Sequence, residues 1–349
     1  MRNMKNSLFL CLCIVYPFLL HAQISFTPEE LIEQGVEAHD KGYYETAILH
    51  YEEAYRLDSM GSIAEIALYE MAFAYSEIRN YDRSLSLISR VLQLNPNSLS
   101  SLILQANIYD ITGNEAAAFE TFKIAQSLCT DSVSPHLVTS LYFNLGVTYY
   151  NMQKVDSAYV CFAKALDYKP FHPSSNYYLA LCMMHRNAQV EANFCFYRFL
   201  LASPCQTNLP NDKKFVFLKA NFTTGMTENN SDKKNSKKKK ITLTASNEKD
   251  LRRLMLVSSY YNQKQYSDER EDLYGLTKKF FAQGPELVDT TNVWFQNGFI
   301  LPFKLLSDSE HFDALFNYMT ACMYETSAQW CNDNEDKLNT AIEWLNQQF

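Results

Sequence analysis

Seven histidines, paired carboxylates such as Glu52–Glu53 and nine cysteines are the residues here that could carry chemistry. Grouped at close spacing they would hold a metal ion, relay a proton or supply a nucleophile. They are not so grouped. His39, His50, His136, His172, His185 and His311 have no acidic or cysteine partner at ligand spacing, and His21 lies in the N-terminal apolar segment. These histidines read as surface or helix-end residues. The carboxylate pairs read as exposed helix faces, which sequence does not separate from a catalytic pair. No C-x-x-C, G-x-S-x-G, H-E-x-x-H, phosphate-binding glycine loop or calcium-loop spacing occurs. The expectation is a protein that is not an enzyme, with no catalytic residues, no metal site and no cofactor.

Of the nine cysteines, Cys11 and Cys13 lie in the N-terminal segment, and the remaining seven leave an odd thiol in any fully paired monomer. Cys161 and Cys195 read as buried small hydrophobes. Cys322 and Cys331 are the pair most worth testing as a disulfide.

What remains is surface, and the elements that present it. The chain of 349 residues is 47% hydrophobic, enough for a large core, and its 9 glycines and 10 prolines favour helix over turn-rich structure. Arg2 and Lys5, an apolar run from Leu8 to Leu20 and Ala22 have the order of a secretory signal, predicting cleavage after residue 22. An uncleaved anchor is the alternative. The context of Cys11 and Cys13 does not suit lipidation, and no later run is long enough to span a bilayer.

From residue 23 a size pattern recurs five times. A small residue stands at Gly35, Ala72, Ala106, Gly146 and Ala180. Twelve positions on stands another, at Ala47, Ser84, Ala118, Ala158 and Ala192, and four further a bulky one, at Tyr51, Ile88, Phe122, Phe162 and Phe196. Ala54, Val91, Ala125, Ala165 and Phe199 follow three later, and the units are offset by 37, 34, 40 and 34 residues. Two antiparallel helices approach closely when one offers a hole where the other offers a knob. Gly42 and Gly113 suit the turns, and Pro96, Pro170 and Pro204 close three of the second helices. One such pair cannot bury its own apolar face, so the pairs must stack.

The five units, over about residues 26–204, resemble tetratricopeptide repeats, most closely in YFNLGVTYYNMQKVDSAYVCFAKALDYKP at 142–170. Gln34, Gln105 and Phe199 depart from the pattern. The resemblance implies an all-α, right-handed solenoid of antiparallel helix pairs. The expected organisation is a signal peptide at 1–22, five repeats over 23–204, a Lys-rich linker or insertion over 205–248 and a helical region over 249–349. Residues 213–222 and 239–246 could pair as a hairpin within the linker. The C-terminal region has repeat-like helices, including a decayed sixth unit at 254–276, Trp294 with Gly298, and amphipathic helices near 309–324 and 335–348.

The resemblance also implies a concave groove lined by the first helix of each pair. Carried onto this sequence it includes Ile32, Val36, Tyr69, Phe73, Ile103, Asn107 and Asp110, then Phe143, Val147, Tyr150, Tyr177, Leu181 and Met184. Relatives that clamp the acidic tail of a chaperone place Lys, Arg and Asn there; Ile32 and Val36 exclude that chemistry at the first repeat. The groove is expected either to take a peptide or protein segment or to be filled by the chain's own C-terminal helices.

Charge divides the chain similarly. Residues 23–204 carry net −9, residues 213–253 net +8 and residues 254–349 net −8. Lys233, Lys234, Lys237, Lys238, Lys239 and Lys240 could meet an anionic surface, or form a solvated strap. The acidic remainder excludes nucleic acid. The expected role is an exported interaction scaffold, periplasmic or secreted, in the cell envelope of a Gram-negative-type bacterium. The alternative is a component of outer-membrane assembly or glycan-binding machinery.

Overall fold

The computed structural model describes residues 26–202 and 269–348, apart from residues 62, 131, 187, 289–290 and 322–324. The signal-like segment, the lysine strap and the expected hairpin lie outside the described residues. So does most of the decayed sixth unit. Among the described residues there is no strand.

Ten helices form five antiparallel pairs. They are α1 (Pro28–Asp40) with α2 (Tyr44–Leu57), α3 (Ile63–Glu77) with α4 (Tyr81–Leu94), and α5 (Leu99–Ile111) with α6 (Glu115–Ser127). Then come α7 (Pro135–Asn151) with α8 (Val155–Tyr168), and α9 (Pro173–His185) with α10 (Gln189–Ala202). Local signals set their starts. Thr27 and Glu30 form a reciprocal capping box ahead of α1, and Pro28 takes the first-turn position where no N–H is needed. Asn80, Asn114 and Ser134 accept from backbone N–H groups two or three residues on.

The hole-and-knob register is realised residue by residue. A Cβ added at Gly146 would fall 2.6 Å from Cε1 of Phe162, and one at Gly35 would collide with the Tyr51 ring. Ala72, Ala106 and Ala180 are fully buried, as are Ala47, Ala118, Ala158 and Ala192. Ser84, standing among alanines, keeps the small volume and donates its hydroxyl to the Ala72 carbonyl at 2.6 Å. Phe199, large where a small residue is usual, is buried against the rings of Tyr177 and Phe196. In each of the first four turns the residue seven after the hole has positive φ: Gly42 and Gly113 at 78° and 81°, Arg79 and Gln153 at 59° and 60°.

The chain divides into two compact units, one ending at Leu128 and the other beginning at Cys129. In the first, α2 packs on α3 and α4 on α5, so the pairs stack in sequence order. In the second, α9 packs against both α8 and α10. Helix α10 is buried on all sides: Val190–Leu201 is buried throughout, with Glu191, Asn193 and Arg198 among its mostly apolar residues. Later helices follow: α11 (Glu269–Gln283), α12 (Val293–Phe295), α13 (Leu301–Asp308), α14 (Phe312–Thr320), α15 (Glu325–Asp333) and α16 (Glu335–Gln348); α11, α13 and α14 meet α10, and α15 and α16 pack on α14. The helix expected near 309–324 is thus shorter, and the one at 335–348 is as read.

Phe194 meets Phe280 at 4.7 Å between ring centroids, and Tyr197 meets Phe281 at 4.8 Å. Gly284 lacks the side chain that would press on Phe194. A π-turn, Gln296–Ile300, joins α12 to α13 and offers its Gly298 carbonyl to Arg198 Nη1 at 2.8 Å. The buried guanidinium also lies 4.3 Å from the Phe299 ring centroid, and burial lowers its pKa to about 9.

Cys331 is a free thiol; Cys322, its partner in the pair most worth testing as a disulfide, lies outside the described residues. Cys161, Cys182 and Cys195 are buried free thiols, and burial pushes the first two up to about 12. They serve as small core residues.

Candidate functional site

In the first unit, Tyr69 and Phe73 stand one helical turn apart on α3 with stacked rings 6.4 Å between centroids. Both are half-buried. Burial pushes the Tyr69 phenol up to about 12. Ile32, Asn107 and Asp110 are half-buried as well, Val36 is exposed, and Ile103 is 5% exposed and belongs to the core rather than to a surface.

The end of α1 meets this face. His39 stacks on Phe73 at 4.9 Å and stands edge-on to Tyr44 at 5.1 Å. Next to it is Asp40, and across from it on α3 is Glu70, whose carboxyl is pushed up first by burial and then by Asp40. Asp40, Tyr44 and Glu70 were not singled out from sequence, and His39 was read only as a surface or helix-end residue. The signal was available: Gly35 and Ala72 are equivalent holes, so residues four and five after the first and two before the second are placed by the same register.

In the second unit, Phe143, Val147 and Tyr150 on α7 and Tyr177, Leu181 and Met184 on α9 are all half-buried. Tyr178, also unremarked in the sequence, ties the two helices. Its ring lies 5.9 Å from Phe143, 5.5 Å from Tyr150 and 5.2 Å from Phe162. The Tyr150 hydroxyl is 3.2 Å from His185 Nε2, and Phe143 is edge-on to His172 at 5.2 Å. These two aromatics therefore pack between repeats as well as facing outward.

The histidines otherwise sit at helix ends. His172 caps α9, with its Nδ1 accepting from the Ser175 amide, and burial lowers its pKa to about 4. His136, His185 and His311 lie at or beside helix termini, and His50 is within α2. Among the described residues no group of three His, Cys, Asp or Glu side chains could hold a metal ion.

The described C-terminal helices pack against α10, through α14 and the π-turn. Asn292 donates to the Tyr159 hydroxyl at 3.1 Å, and Trp294 Nε1 donates to Asp167 at 2.7 Å. All of these contacts fall on α8 and α10, the second helices of their pairs. Among the described residues of the chain no helix is long and apolar enough to cross a membrane.

Stacked antiparallel helix pairs in one hole-and-knob register define an all-α repeat protein. Residues 139–172, the fourth pair, match the family model described as the tetratricopeptide repeat. The other four pairs share the hole-and-knob register of that matched repeat. No curated protein matches it. Among solved structures, TTC0263, a thermophilic TPR protein of Thermus thermophilus, is 16% identical. That likeness covers 56% of this chain and 100% of TTC0263, with a TM-score of 0.46. A crystal structure of MamA is 18% identical, covering 52% of this chain and 97% of MamA, with a TM-score of 0.38. Pseudomonas aeruginosa pilF is 15% identical, covering 56% and 89%, with a TM-score of 0.45.

Proposed function

We propose that this protein is an exported interaction scaffold that holds an extended or helical segment of another protein against the first-helix faces of its repeats. The observation that carries the reading is the division of labour among the helices. Second helix α10 is covered by the chain's own C-terminal region, which also touches α8 through Tyr159 and Asp167, whereas Tyr177, Leu181 and Met184 on first helix α9 keep partial exposure. Half-buried aromatic and aliphatic side chains on a rigid helical face are the usual anchors of peptide recognition. Tyr69 and Phe73 repeat the arrangement in the first unit. The basic–apolar–small order of residues 1–22 supports export, and with it a periplasmic or secreted location in the cell envelope.

Site-specific photo-crosslinking tests the reading. A benzophenone side chain at Met184, on the proposed contact face, should capture a discrete envelope protein in the source cells. The same group at Val160, 63% exposed on a second helix, should not. Equal capture at both positions, or none at either, overturns the scaffold reading. Export is checked separately: the N-terminus of the isolated protein should begin at Gln23, and a retained Met1 in the membrane fraction would show an anchor instead.

A further inference from the structure

We propose that the first-helix face of the second unit, formed by α7 and α9, selects an uncharged segment of a separate protein. That segment brings aliphatic or aromatic side chains to the contact and no lysine, arginine, aspartate or glutamate. This rests on the scaffold reading and adds the chemistry of the partner. The observation that carries it is where charge is missing. The 17 residues of α7 and the 13 of α9 include no Asp, Glu, Lys or Arg. At the chain's average of 20% charged residues, about six of those 30 would be expected. Being a first helix does not explain the gap, because α1, α3 and α5 carry nine carboxylates between them. Nor does burial. Phe143, Val147, Tyr150, Tyr177, Leu181 and Met184 all keep partial exposure, whereas α10, buried throughout, retains Glu191 and Arg198. A water-reaching face rich in Tyr, Phe and Met and empty of charge has the composition of the core of a protein–protein contact.

The geometry makes the two helices one face. Tyr178 bridges them, its ring 5.9 Å from Phe143 and 5.5 Å from Tyr150 on α7, and Tyr177 stands edge-on to it at 5.7 Å. On α9, Ser174, Tyr177, Leu181 and Met184 follow at intervals of three and four, which puts them on one side of the helix. Ionisation does not restore charge at pH 7. Burial raises the phenol pKa of Tyr150 and Tyr177 and lowers that of His172, the cap of α9, to about 4. Arg186, which follows α9, is held by Asp156 at 2.6 Å. A partner's carboxylate or ammonium pressed onto this face would lose hydration and find no opposite charge in return. An uncharged segment loses nothing of that kind, and its apolar side chains gain by burial against the rings. The face thus discriminates as much by rejecting charged segments as by attracting apolar ones.

The test is selection of random dodecapeptides by display on the immobilised full chain at pH 7. Four forms are compared: the natural chain, Leu181→Glu, Ser174→Glu, and the control Val160→Glu, at a position 63% exposed on second helix α8. Ser174 is exposed in the first turn of α9, where a carboxylate suits the helix dipole, so that variant keeps its fold even where Leu181→Glu does not. The natural chain and the control should enrich peptides whose contact residues are uncharged. For one such peptide, Leu181→Glu and Ser174→Glu should each weaken binding about tenfold or more, with salt between about 50 and 500 mM changing the natural affinity less than about twofold. Replacing one apolar residue of that peptide by Lys, or by Glu, should weaken binding about tenfold in both cases. Loss for one sign only would show ordinary charge attraction and overturn the selection against charge. Charged peptides whose binding both face variants remove would overturn it too, while leaving the scaffold reading standing. Peptides indifferent to both variants bind elsewhere, and also overturn it. Enrichment of nothing by the natural chain, as when residues 203–268 or a second copy fill the face, sinks both readings.

Discussion

The Phe162 ring lies across Gly146 so closely that one added carbon at 146 would sit 2.6 Å from its Cε1. Alanine is the better helix former by about 1 kcal/mol, while overpacking a closed contact costs about 1–3 kcal/mol. Gly146→Ala should therefore lower the urea unfolding midpoint despite its higher helix propensity. Phe162→Leu alone should also destabilise, by opening a cavity. Combined with Gly146→Ala it should cost less than the two single changes added together, a coupling that a double-mutant cycle measures.

Arg79 and Gln153 hold left-handed backbone at the turn position that glycine fills at Gly42 and Gly113. A side chain there costs about 1–2 kcal/mol. Gln153→Gly should raise stability by about 0.5–1 kcal/mol once the entropy of a freer unfolded chain is deducted, and Gly42→Ala should lower it by about 1 kcal/mol. Equilibrium denaturation of the two variants checks both signs.

Arg198 links the last repeat to the C-terminal helices by donating to the Gly298 carbonyl from a buried position. Hydrogen bonds from charged groups contribute about 1.5–3 kcal/mol. Arg198→Ala should loosen the π-turn first, so that limited proteolysis cuts near residues 292–300 before it cuts within α1–α6. Unaltered cleavage order would show that aromatic packing around Phe281 and Phe303 holds the cap without it.

Glu70 has its folded pKa raised, by burial and then by Asp40. A raised carboxylate binds more protons folded than unfolded, so it weakens the fold above its folded pKa and ceases to do so as pH falls below its unfolded value. Glu70→Gln should therefore melt higher than the natural chain at pH 7, and the difference should shrink towards zero by about pH 4, near the ordinary glutamate pKa. Melting curves across that range read the sign directly.

The helix pairs were legible in the sequence because each rests on a local size rule repeated in one register. Gly35, Ala72, Ala106, Gly146 and Ala180 each sit at a fixed distance from a knob, and a helix's geometry converts that distance into a contact. The same reading missed Arg79 and Gln153 as turn residues, because nothing in their side chains marks a left-handed backbone; only the offset from the hole does. It also placed Ile103 in the groove, although the residue is largely buried.

Position along the chain fixed which residues share a helix face, and tertiary packing decided what those faces meet. The apolar composition of α10 fits a buried helix equally well as an array end or as an interior layer. Its cover comes from Phe280, Phe281 and Phe303, a hundred or so residues later, which no local period connects to it. The meeting of His39 and Asp40 with Glu70 and Phe73 has the same origin. The crossing of α1 over α3 brings the end of one helix to the middle of another, and crossing geometry is set by side chains from both at once.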